Sequence, residues 1–548
     1  MKKFFLLVLM TVHYVFAADM QKFLQTNPSI EQIHTGLNQH EFSCKELING
    51  YLERIKLYNL STNSNHAPLN AITQLNPQAL VIADGLDEEL AKNKVFTGSL
   101  WCIPVIVKDN IDVAGLRTSS GSLTLLGTYP LMDAVIIRKI KGQGGIILAK
   151  SAMDEMASGL SGISSLSGRI GNAYNTAYNP GGSSGGSAVS VAANFAPLAI
   201  GSDNSGSVRV PAAYNGIYGL RPTYGLISHA GIFPLGNLDG TAGPMANNVP
   251  DLAQLLTIMA ANKVDYSEYL NADSLVGKHF AMIKSVAGKS LFIGMPQSIL
   301  AIYNKVKDNL QSQGATISEI DLPRFSLERK NNMAGTIEEI NGYLTQNISN
   351  ISGFDAICQG KSRVYGTPKN CMKLIIGIKS KNSPEFQQVT QIIAKNQAYI
   401  LGIMQQQHLD GLILPSGKSG IASYDGNQIG DQSVIASNSG LPEITLPVAQ
   451  YKGLPVGLEL LGPKYAESAL LSYAFAYQKH FYSFKAPNLL LAPQFKNWSI
   501  NELNTLYLLI GKISFTTVIE PMNQNKISPE QSIIATHKAI MLIKTVIR

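Results

Sequence analysis

The sequence predicts an α/β fold, because apolar β-branched runs alternate with stretches that have helical spacing. The clearest helix start is the capping box of Ser43 and Glu46. It precedes apolar residues that share one helical face, namely Leu47, Ile48, Tyr51, Leu52 and Ile55. The runs that favour buried strands are residues 101–107, 146–149, 195–200, 412–414, 443–448 and 456–461, and residues 188–194 favour a small-residue helix. We therefore expect a largely covered sheet.

Composition limits the class of protein. The chain has 548 residues, of which 45% are hydrophobic and 15% charged, so it is long enough to bury one large core or two moderate ones. The net charge of +7 is spread along the sequence, without a dense block of lysine and arginine. Nucleic acid is not an expected partner.

The N-terminus has the pattern of a secretory signal. Lys2 and Lys3 precede an apolar run, and Val15-Phe16-Ala17 offers a small-residue cleavage site. We expect residues 1–17 to be a signal peptide, and the mature chain to start at Ala18 or Asp19 and to be exported to a periplasm or secreted. A buried helix or a membrane anchor is the alternative, but the run is shorter than a bilayer span and contains His13. No stable membrane association is expected after cleavage.

Two helix starts follow the main body of the chain. Ser499 with Glu502, and Ser528-Pro529 with Gln531, mark these starts. The predicted organisation is an enzyme-like domain over residues 18–489 and a small helical C-terminal extension over residues 490–548.

The four cysteines allow three pairings, and export would permit disulfide bonds. Cys358 and Cys371 are close in sequence, and a bond between them would close a short loop. Cys102 follows Trp101 in an apolar run, where a cysteine is more often a small buried hydrophobe than a reactive thiol. The cysteines and histidines lack metal-ligand spacing, so neither a metal nor another cofactor is expected.

Two loops rich in serine and glycine, at residues 181–187 and 201–207, predict nucleophilic chemistry. A serine nucleophile needs a base. Lys108 ends the apolar run Ile103-Pro104-Val105-Ile106-Val107, where loss of hydration would lower its pKa and let it act as a base. The alternative is a surface lysine that happens to follow a strand.

The chain resembles the amidase signature family over roughly residues 20 to 490. The motifs that carry the resemblance are residues 103–110, 153–155, 180–187, 201–211, 219–225, 241–245, 440–442 and 453–457. The resemblance implies a large mixed β-sheet covered by helices on both faces. It also implies a Ser-cisSer-Lys triad in which Ser207 is the nucleophile, Ser183 the serine on a cis peptide bond, and Lys108 the base.

The resemblance implies further roles around the triad. The backbone N–H groups of Asn204, Ser205, Gly206 and Ser207 would hold the oxyanion. Ser184 would either hydrogen-bond within this network or be purely structural. Asp203 and Arg209 flank the nucleophile and are expected to pair and brace its loop.

Several residues near the motifs receive a different interpretation. Asp154 and Glu155 are explained as a helix start rather than as paired catalytic carboxylates, and His229 has no visible acidic partner. The chain also departs from the family pattern: Ser205 stands where glycine is usual, Cys102 stands at another glycine position, and Gly240 is an insertion. These changes bear on substrate preference and rate more than on the class of reaction.

Four functions fit these observations. The first is an exported hydrolase of small amides or amidated peptides, acting as a monomer or homodimer, with a peptide-amidase-like subgroup suggested by residues 226–233 and 442–445. The second is the glutaminase subunit of a tRNA-dependent amidotransferase, against which the signal peptide argues. The third is a Ser-His-Asp hydrolase that uses Ser184, whose Gly-x-Ser-x-Gly motif lacks the strand–turn–helix context. The fourth is a non-catalytic binding protein of the same fold.

Overall fold

The computed structural model describes residues 20–61, 68–234, 238–327, 335–360, 380–417, 420–422, 430–491, 495–516 and 520–523, with a few single positions beyond. The proposed signal peptide and the predicted helix start at Ser528-Pro529 lie outside these residues, as does Cys371.

A mixed sheet of twelve strands organises the described part of the chain. The strands of the described residues, including two that lie outside this sheet, are β1 (Ile72–Leu75), β2 (Pro104–Lys108), β3 (Ile146–Ser151), β4 (Ile163–Ser164), β5 (Gly168–Arg169), β6 (Leu198–Asp203), β7 (Tyr218–Arg221), β8 (Thr241–Ala246), β9 (His279–Val286), β10 (Lys289–Ser290), β11 (Thr316–Leu322), β12 (Gly411–Pro415), β13 (Glu443–Tyr451) and β14 (Leu454–Leu461). The order in the sheet is β1-β3-β2-β6-β8-β7-β13-β14-β12-β9-β10, with β11 also paired to β9, and β4 and β5 form a separate pair. The predicted α/β class with a large mixed sheet is confirmed.

Helices fill the connections between these strands. They are α1 (Ile30–Asn38), α2 (Cys44–Tyr58), α3 (Ala79–Asn93), α4 (Val135–Gly142), α5 (Gly185–Ala192), α6 (Arg209–Tyr214), α7 (Val249–Met259), α8 (Gln297–Ser312), α9 (Thr336–Gln346), α10 (Phe354–Gln359), α11 (Pro384–Gln406), α12 (Glu467–Phe481), α13 (Ile500–Ser514) and α14 (Glu520–Asn523). The capping box of Ser43 and Glu46 begins α2 as predicted, and that of Ser499 and Glu502 begins α13. Asn504 of α13 exchanges hydrogen bonds of 2.7 and 3.0 Å with the backbone of Leu75, which fixes this helix to the edge strand β1.

The predicted strands form, with boundaries set by backbone chemistry. The run at 195–200 becomes a strand only from Leu198, directly after Pro197, which has no N–H to donate to a neighbouring strand. The run at 101–107 becomes a strand from Pro104, because Cys102 has a φ of 61° and turns the chain just before it. Strands β2, β3 and β6 are buried along their whole length, which explains their near-continuous apolar sequences.

Strands β2 and β6 bring the lysine motif and the second serine loop together. They run parallel in the middle of one half of the sheet, with Val105 opposite Leu198 and Val107 opposite Ile200. Their carboxyl ends, Lys108 and the Ser202–Asp203 pair, therefore meet at the same edge, where α/β proteins commonly build ligand sites.

A disulfide bond joins Cys44, the first residue of α2, to Cys102. Cys102 is buried and is not a reactive thiol, as predicted, and the structure adds that its sulfur is held in a disulfide bond. The sequence did not decide between the three pairings, since residues 58 positions apart become neighbours only through the fold. Cys358 is disulfide-bonded as well.

A small apolar cluster lies apart from the main core and supports α9 and α10. Its buried members are Leu125, Met156, Phe233, Ile340, Tyr343, Leu344, Phe354, Ile357 and Cys358. The rings of Phe233 and Tyr343 meet edge to face at 5.0 Å between centroids. This cluster holds α9 over the region next to the carboxyl ends of β2 and β6.

Candidate active site

Lys108 lies at the centre of a buried hydrogen-bonded group. Its Nζ is 2.7 Å from Ser183 Oγ, 2.9 Å from Ser202 Oγ and 3.1 Å from the Ser202 carbonyl oxygen. Asn110 Nδ2 donates to the same Ser202 hydroxyl at 3.0 Å. The side chain that the sequence selects as a base thus contacts the serine that is predicted to relay its proton.

Burial changes the acidity of this lysine. Lys108 is fully buried, and loss of hydration lowers its pKa to about 7, although Asp154 and Asp203 favour the charged form. A substantial fraction of Lys108 is therefore neutral at physiological pH. Only the neutral amine can accept a proton, so the environment suits a general base.

The two serine loops are joined to each other through their backbones. The Ser184 N–H donates to the Ser207 carbonyl at 3.1 Å, and the Gly182–Ser183 peptide bond is cis. Ser184 Oγ donates to the Ser202 carbonyl and accepts from the Ser202 N–H, both at 3.2 Å. Ser184 is thus part of the network, bonded to the strand end that also contacts Lys108.

The nucleophile loop folds around the carboxylate of Asp203. Asp203 accepts hydrogen bonds from the N–H groups of Gly206 at 2.9 Å and Val208 at 3.0 Å. Gly206 is predicted as an oxyanion donor, but its N–H is engaged inside the loop, because the carboxylate sits within the turn that the loop makes. Asn204, Ser205 and Ser207 are the other predicted donors, and all three lie within this turn, between Asp203 and Val208.

Arg209 fixes the loop to two neighbouring strands. Its guanidinium bonds Asp203 at 3.1 Å and Glu459 at 2.8 Å, and it also bonds Glu443. All four side chains are fully buried, and Arg221 adds a second ion pair to Asp203 at 3.1 Å. The predicted pairing of Asp203 and Arg209 is present, and it is part of a larger cluster.

The charges in this cluster are balanced by the two arginines. Burial favours a neutral Asp203, but Arg209 and Arg221 outweigh it and hold the pKa of Asp203 below its usual range. Burial raises the pKa of Glu443 and of Glu459, and the attraction of Arg209 only partly offsets this. Asp203 is therefore the carboxylate that stays ionised beside the nucleophile loop.

A cavity of about 350 Å³ opens beside this network. Ser202 and Asn204 line it from the end of β6, and α9 lines it through Glu339, Gly342, Tyr343 and Gln346. The remaining lining residues are His229, Gly231, Ile232, Phe233, Pro234, Gly240 and Thr241. The cavity is large enough for a small organic substrate whose reacting end reaches the loop that precedes Ser207.

A family model named Amidase matches residues 46–471. The match includes every site residue described above, from Lys108 to Glu459. The chain belongs to the amidase signature family. It is 30% identical to one of the subunits of the glutamyl-tRNA(Gln) amidotransferase of Streptococcus pneumoniae, over 82% of this chain and 96% of that protein.

Solved structures of amidases have the same fold. The peptide amidase of Stenotrophomonas maltophilia superposes with a TM-score of 0.76 at 27% identity, over 84% of this chain and 98% of the other. An amidase family protein of Bacillus anthracis superposes with the same TM-score and identity, over 87% and 95% of the two chains. This chain is therefore an amidase-family enzyme that hydrolyses carbon–nitrogen bonds of amides.

Some residues of this amidase site have no assigned role in the sequence motifs. Ser202 and Asn110 lie within motifs that are recognisable, but the motifs alone do not reveal a contact with Lys108. The sequence feature that could have identified them is a polar side chain at the end of an otherwise apolar strand. Ser202 lies at the end of β6, and Asn110 follows just after β2. Glu443 and Glu459 have a similar signal, a carboxylate inside an apolar strand.

The interpretation of Asp154 as a helix start was incomplete. A short 3₁₀ turn does follow it, at Glu155–Ala157, but the Asp154 side chain does not cap that turn. Its carboxylate accepts from Ser161 and from the Gly162 N–H at 2.7 and 2.8 Å, while its own N–H donates to the Ser183 carbonyl at 3.1 Å. Asp154 thus positions the loop that presents Ser183 to Lys108.

His229 has no visible acidic partner in the sequence, and the structure corrects this. His229 and Glu339 line the same cavity of this amidase, although 110 residues separate them in the sequence. Burial lowers the pKa of His229, Arg221 lowers it further, and Glu339 opposes the shift. Since Glu339 lies in a region without recognisable motifs, only the fold reveals this proximity.

Metal binding and membrane spanning can also be assessed in the described part of the chain. Among the described residues, no group of three or more histidine, cysteine, aspartate or glutamate side chains is arranged to hold a metal ion. Within the same residues, no helix combines the length and the apolar character needed to cross a membrane.

Proposed function

We propose that this protein is an exported amidase that cleaves a carboxamide through Ser207, Ser183 and Lys108, releasing ammonia or an amine and a carboxylic acid. The observation that carries the proposal is the 2.7 Å contact between Lys108 Nζ and Ser183 Oγ in a fully buried site that lowers the lysine pKa to about 7. A lysine in this state can take a proton from a serine hydroxyl at neutral pH.

The reaction then proceeds by a proton relay. Neutral Lys108 takes the proton of Ser183, and Ser183 takes that of Ser207 as the Ser207 oxygen attacks the amide carbon. Return of the proton along the same path protonates the leaving nitrogen, and the carbon–nitrogen bond breaks to give an acyl-enzyme. Water attacks the ester by the same relay, and Ser207 is regenerated.

Charge on the carbonyl oxygen has to be stabilised during each attack. The backbone N–H groups of Asn204, Ser205 and Ser207 are the candidate donors, because the N–H of Gly206 is engaged with Asp203. Ser202 and Asn110 contribute indirectly, since Ser202 bonds the Lys108 amine and Asn110 holds the Ser202 hydroxyl.

Two observations support an exported enzyme over a cytosolic subunit. The N-terminal residues have the pattern of a signal peptide. Cys44 and Cys102 form a disulfide bond, and Cys358 is also disulfide-bonded, which is typical of proteins in oxidising compartments. A small amide or an amidated peptide is the substrate class that we propose, with the protein acting as a monomer or homodimer.

The second candidate function is the glutaminase subunit of a tRNA-dependent amidotransferase. The similarity to the amidotransferase subunit of Streptococcus pneumoniae favours it. It predicts that free glutamine is the preferred amide and that partner subunits are required. The two functions thus differ in substrate range and in the need for other chains.

Ammonia release from the purified protein tests the proposal. We expect hydrolysis of simple amides, asparagine, glutamine or amidated peptides, and we expect Ser207→Ala, Ser183→Ala and Lys108→Ala each to lower kcat/KM by at least about a thousandfold. A fluorophosphonate probe should label the wild-type protein but not Ser207→Ala. Ser205→Ala is the matched control, because it removes a hydroxyl from the same loop and keeps the backbone N–H.

Other outcomes would exclude the proposal. Absence of labelling in both wild type and Ser207→Ala, together with no ammonia release, would favour a non-catalytic binding protein. Loss of activity in His229→Ala but not in Lys108→Ala would contradict the relay. Activity toward glutamine alone would favour the second candidate function.

A further inference from the structure

The cavity next to the proposed triad is lined by a carboxylate, that of Glu339. Among the described residues that line it, Glu339 is the acidic side chain and His229 is the basic one. The other polar lining groups, which include Asn204, Thr241 and Gln346, are neutral. The charge of the cavity therefore depends on Glu339 and on the protonation of His229.

His229 does not neutralise this carboxylate at neutral pH. Burial and the nearby Arg221 lower the pKa of His229, and the attraction of Glu339 opposes them without reversing the shift. The imidazole is therefore mostly uncharged above its ordinary pKa of about 6.5. Among the described lining residues, the carboxylate of Glu339 is therefore not cancelled by a charged His229.

Lys381 pairs with Glu339 from the solvent side. The side chain of Lys381 is 42% exposed, whereas that of Glu339 is 19% exposed. Lys381 is not among the lining residues of the cavity, and an ion pair whose lysine is this exposed to water contributes little free energy. A cationic group inside the cavity can thus compete with Lys381 for the carboxylate, or share it.

The position of Glu339 is fixed by its helix. It lies in the first turn of α9, and Tyr343, one turn further along, donates a hydrogen bond of 2.5 Å to Asp112. Asp112 follows closely after Lys108 in the sequence, so this bond ties the helix to the segment that leads from the base. The carboxylate is therefore presented at a defined place in the cavity that Ser202 and Asn204 also line.

We propose that Glu339 makes this enzyme prefer amides that carry a primary ammonium group away from the scissile carboxamide. The inference rests on the proposed amide hydrolysis and names the substrate class of the same site. A carboxylate that lines a partly enclosed cavity attracts a cation more strongly than it would in open water, and it disfavours an anionic substrate.

A pair of matched amides tests this preference. 5-Aminopentanamide and hexanamide have the same chain length and differ by an ammonium in place of a terminal methyl group. We expect the wild-type enzyme to have a kcat/KM about tenfold higher for the ammonium compound, and we expect Glu339→Gln to bring the ratio of the two kcat/KM values close to one.

Two variants serve as controls. Glu338→Gln removes the same charge from the neighbouring exposed residue of α9 and should leave the ratio of the two kcat/KM values unchanged. Lys381→Gln frees Glu339 from its solvent-side partner and should raise the ratio. Opposite effects of the Glu339 and Lys381 substitutions would not follow from a purely structural role of either residue.

The possible failures are distinguishable. If the wild type hydrolyses both amides equally, or if Glu339→Gln changes the ratio no more than Glu338→Gln does, the inference is wrong and amide hydrolysis stands. If neither amide nor any other carboxamide is hydrolysed, the proposed function fails and the inference fails with it.

Discussion

A single buried amine determines the protonation chemistry of the site. Lys108 has no exposed surface, and its contacts are hydroxyl and carbonyl oxygens rather than a carboxylate. Asp154 and Asp203 act on it from a distance and favour its charged form, yet desolvation prevails and lowers its pKa. A directly bonded carboxylate would keep the lysine charged and unable to act as a base.

The pH dependence of activity follows from this environment. Because the folded protein lowers the pKa of Lys108 to about 7, the neutral form grows as the pH rises, and kcat/KM should increase about tenfold per unit below pH 7 and level off above it. A pH–rate profile with a neutral amide measures this. Asp112→Asn is the control. Burial raises the pKa of Asp112 to about 6, so this carboxyl group titrates close to the same pH range, and its removal should leave the rise in kcat/KM near pH 7 in place. A kcat/KM that decreases as the pH rises from 5 to 7 would contradict a lysine base.

Sequence motifs contain the proposed reactive groups but do not reveal the residues that contact them. Lys108, Ser183 and Ser207 stand in recognisable motifs, so their proximity could be predicted from a family resemblance. Glu339 could not, because no motif surrounds it and its place in the cavity depends on how α9 packs.

One short helix connects the nucleophile loop to the far half of the sheet. Arg209, the first residue of α6, bonds Asp203 of β6, Glu443 of β13 and Glu459 of β14. The sheet order places β8 and β7 between β6 and β13, so this one side chain joins strands that are not neighbours. The loop before Ser207 is thereby fixed to both halves of the sheet.

Loss of this connection should be costly. Arg209→Met leaves three buried carboxyl groups without their shared cation and should lower the free energy of unfolding by about 3–5 kcal/mol. Urea denaturation followed by tryptophan fluorescence measures this change. Arg138→Met, which removes an exposed arginine from α4, should change it by less than about 0.5 kcal/mol. Equal effects of the two substitutions would show that the cluster is not a structural brace.

The apolar pattern predicted where these strands lie, but it did not predict which side chains connect strands that are far apart in the sequence. The apolar runs became β2, β3, β6, β12, β13 and β14, since a covered strand needs an apolar sequence. The partners of Arg209 lie 234 and 250 residues away, and their pairing depends on the sheet order, which the sequence pattern does not contain.

The N-terminal helices are covalently tied to the catalytic half of the molecule. The bond between Cys44 and Cys102 joins the start of α2 to the turn before β2, six residues ahead of Lys108. It closes a segment of 58 residues that contains β1 and α3. A cross-link over a segment of this length limits the unfolded chain more than it alters the folded one.

Removal of this bond should weaken the fold and spare the chemistry. The Cys44→Ser, Cys102→Ser double variant should lose about 2–4 kcal/mol of unfolding free energy, with kcat/KM at 25 °C within about twofold of wild type. Denaturation under non-reducing conditions measures the first and ammonia release the second. Protein recovered from the periplasm of a bacterial host should yield a linked peptide with both cysteines. Free thiols at Cys44 and Cys102 in that protein would contradict the assigned pair.

The separate apolar cluster beneath α9 and α10 has a consequence for how the selectivity of this enzyme can be changed. Its buried side chains, such as Ile340, Tyr343 and Leu344, are distinct from those that pack the sheet. We therefore expect substitutions of Ile340 or Leu344 to change the wall of the cavity more than the packing of the sheet, whereas Tyr343 also bonds Asp112, four residues after Lys108. A cavity wall that packs on its own apolar cluster makes residues 335–360 the segment to exchange when redesigning the selectivity of this enzyme.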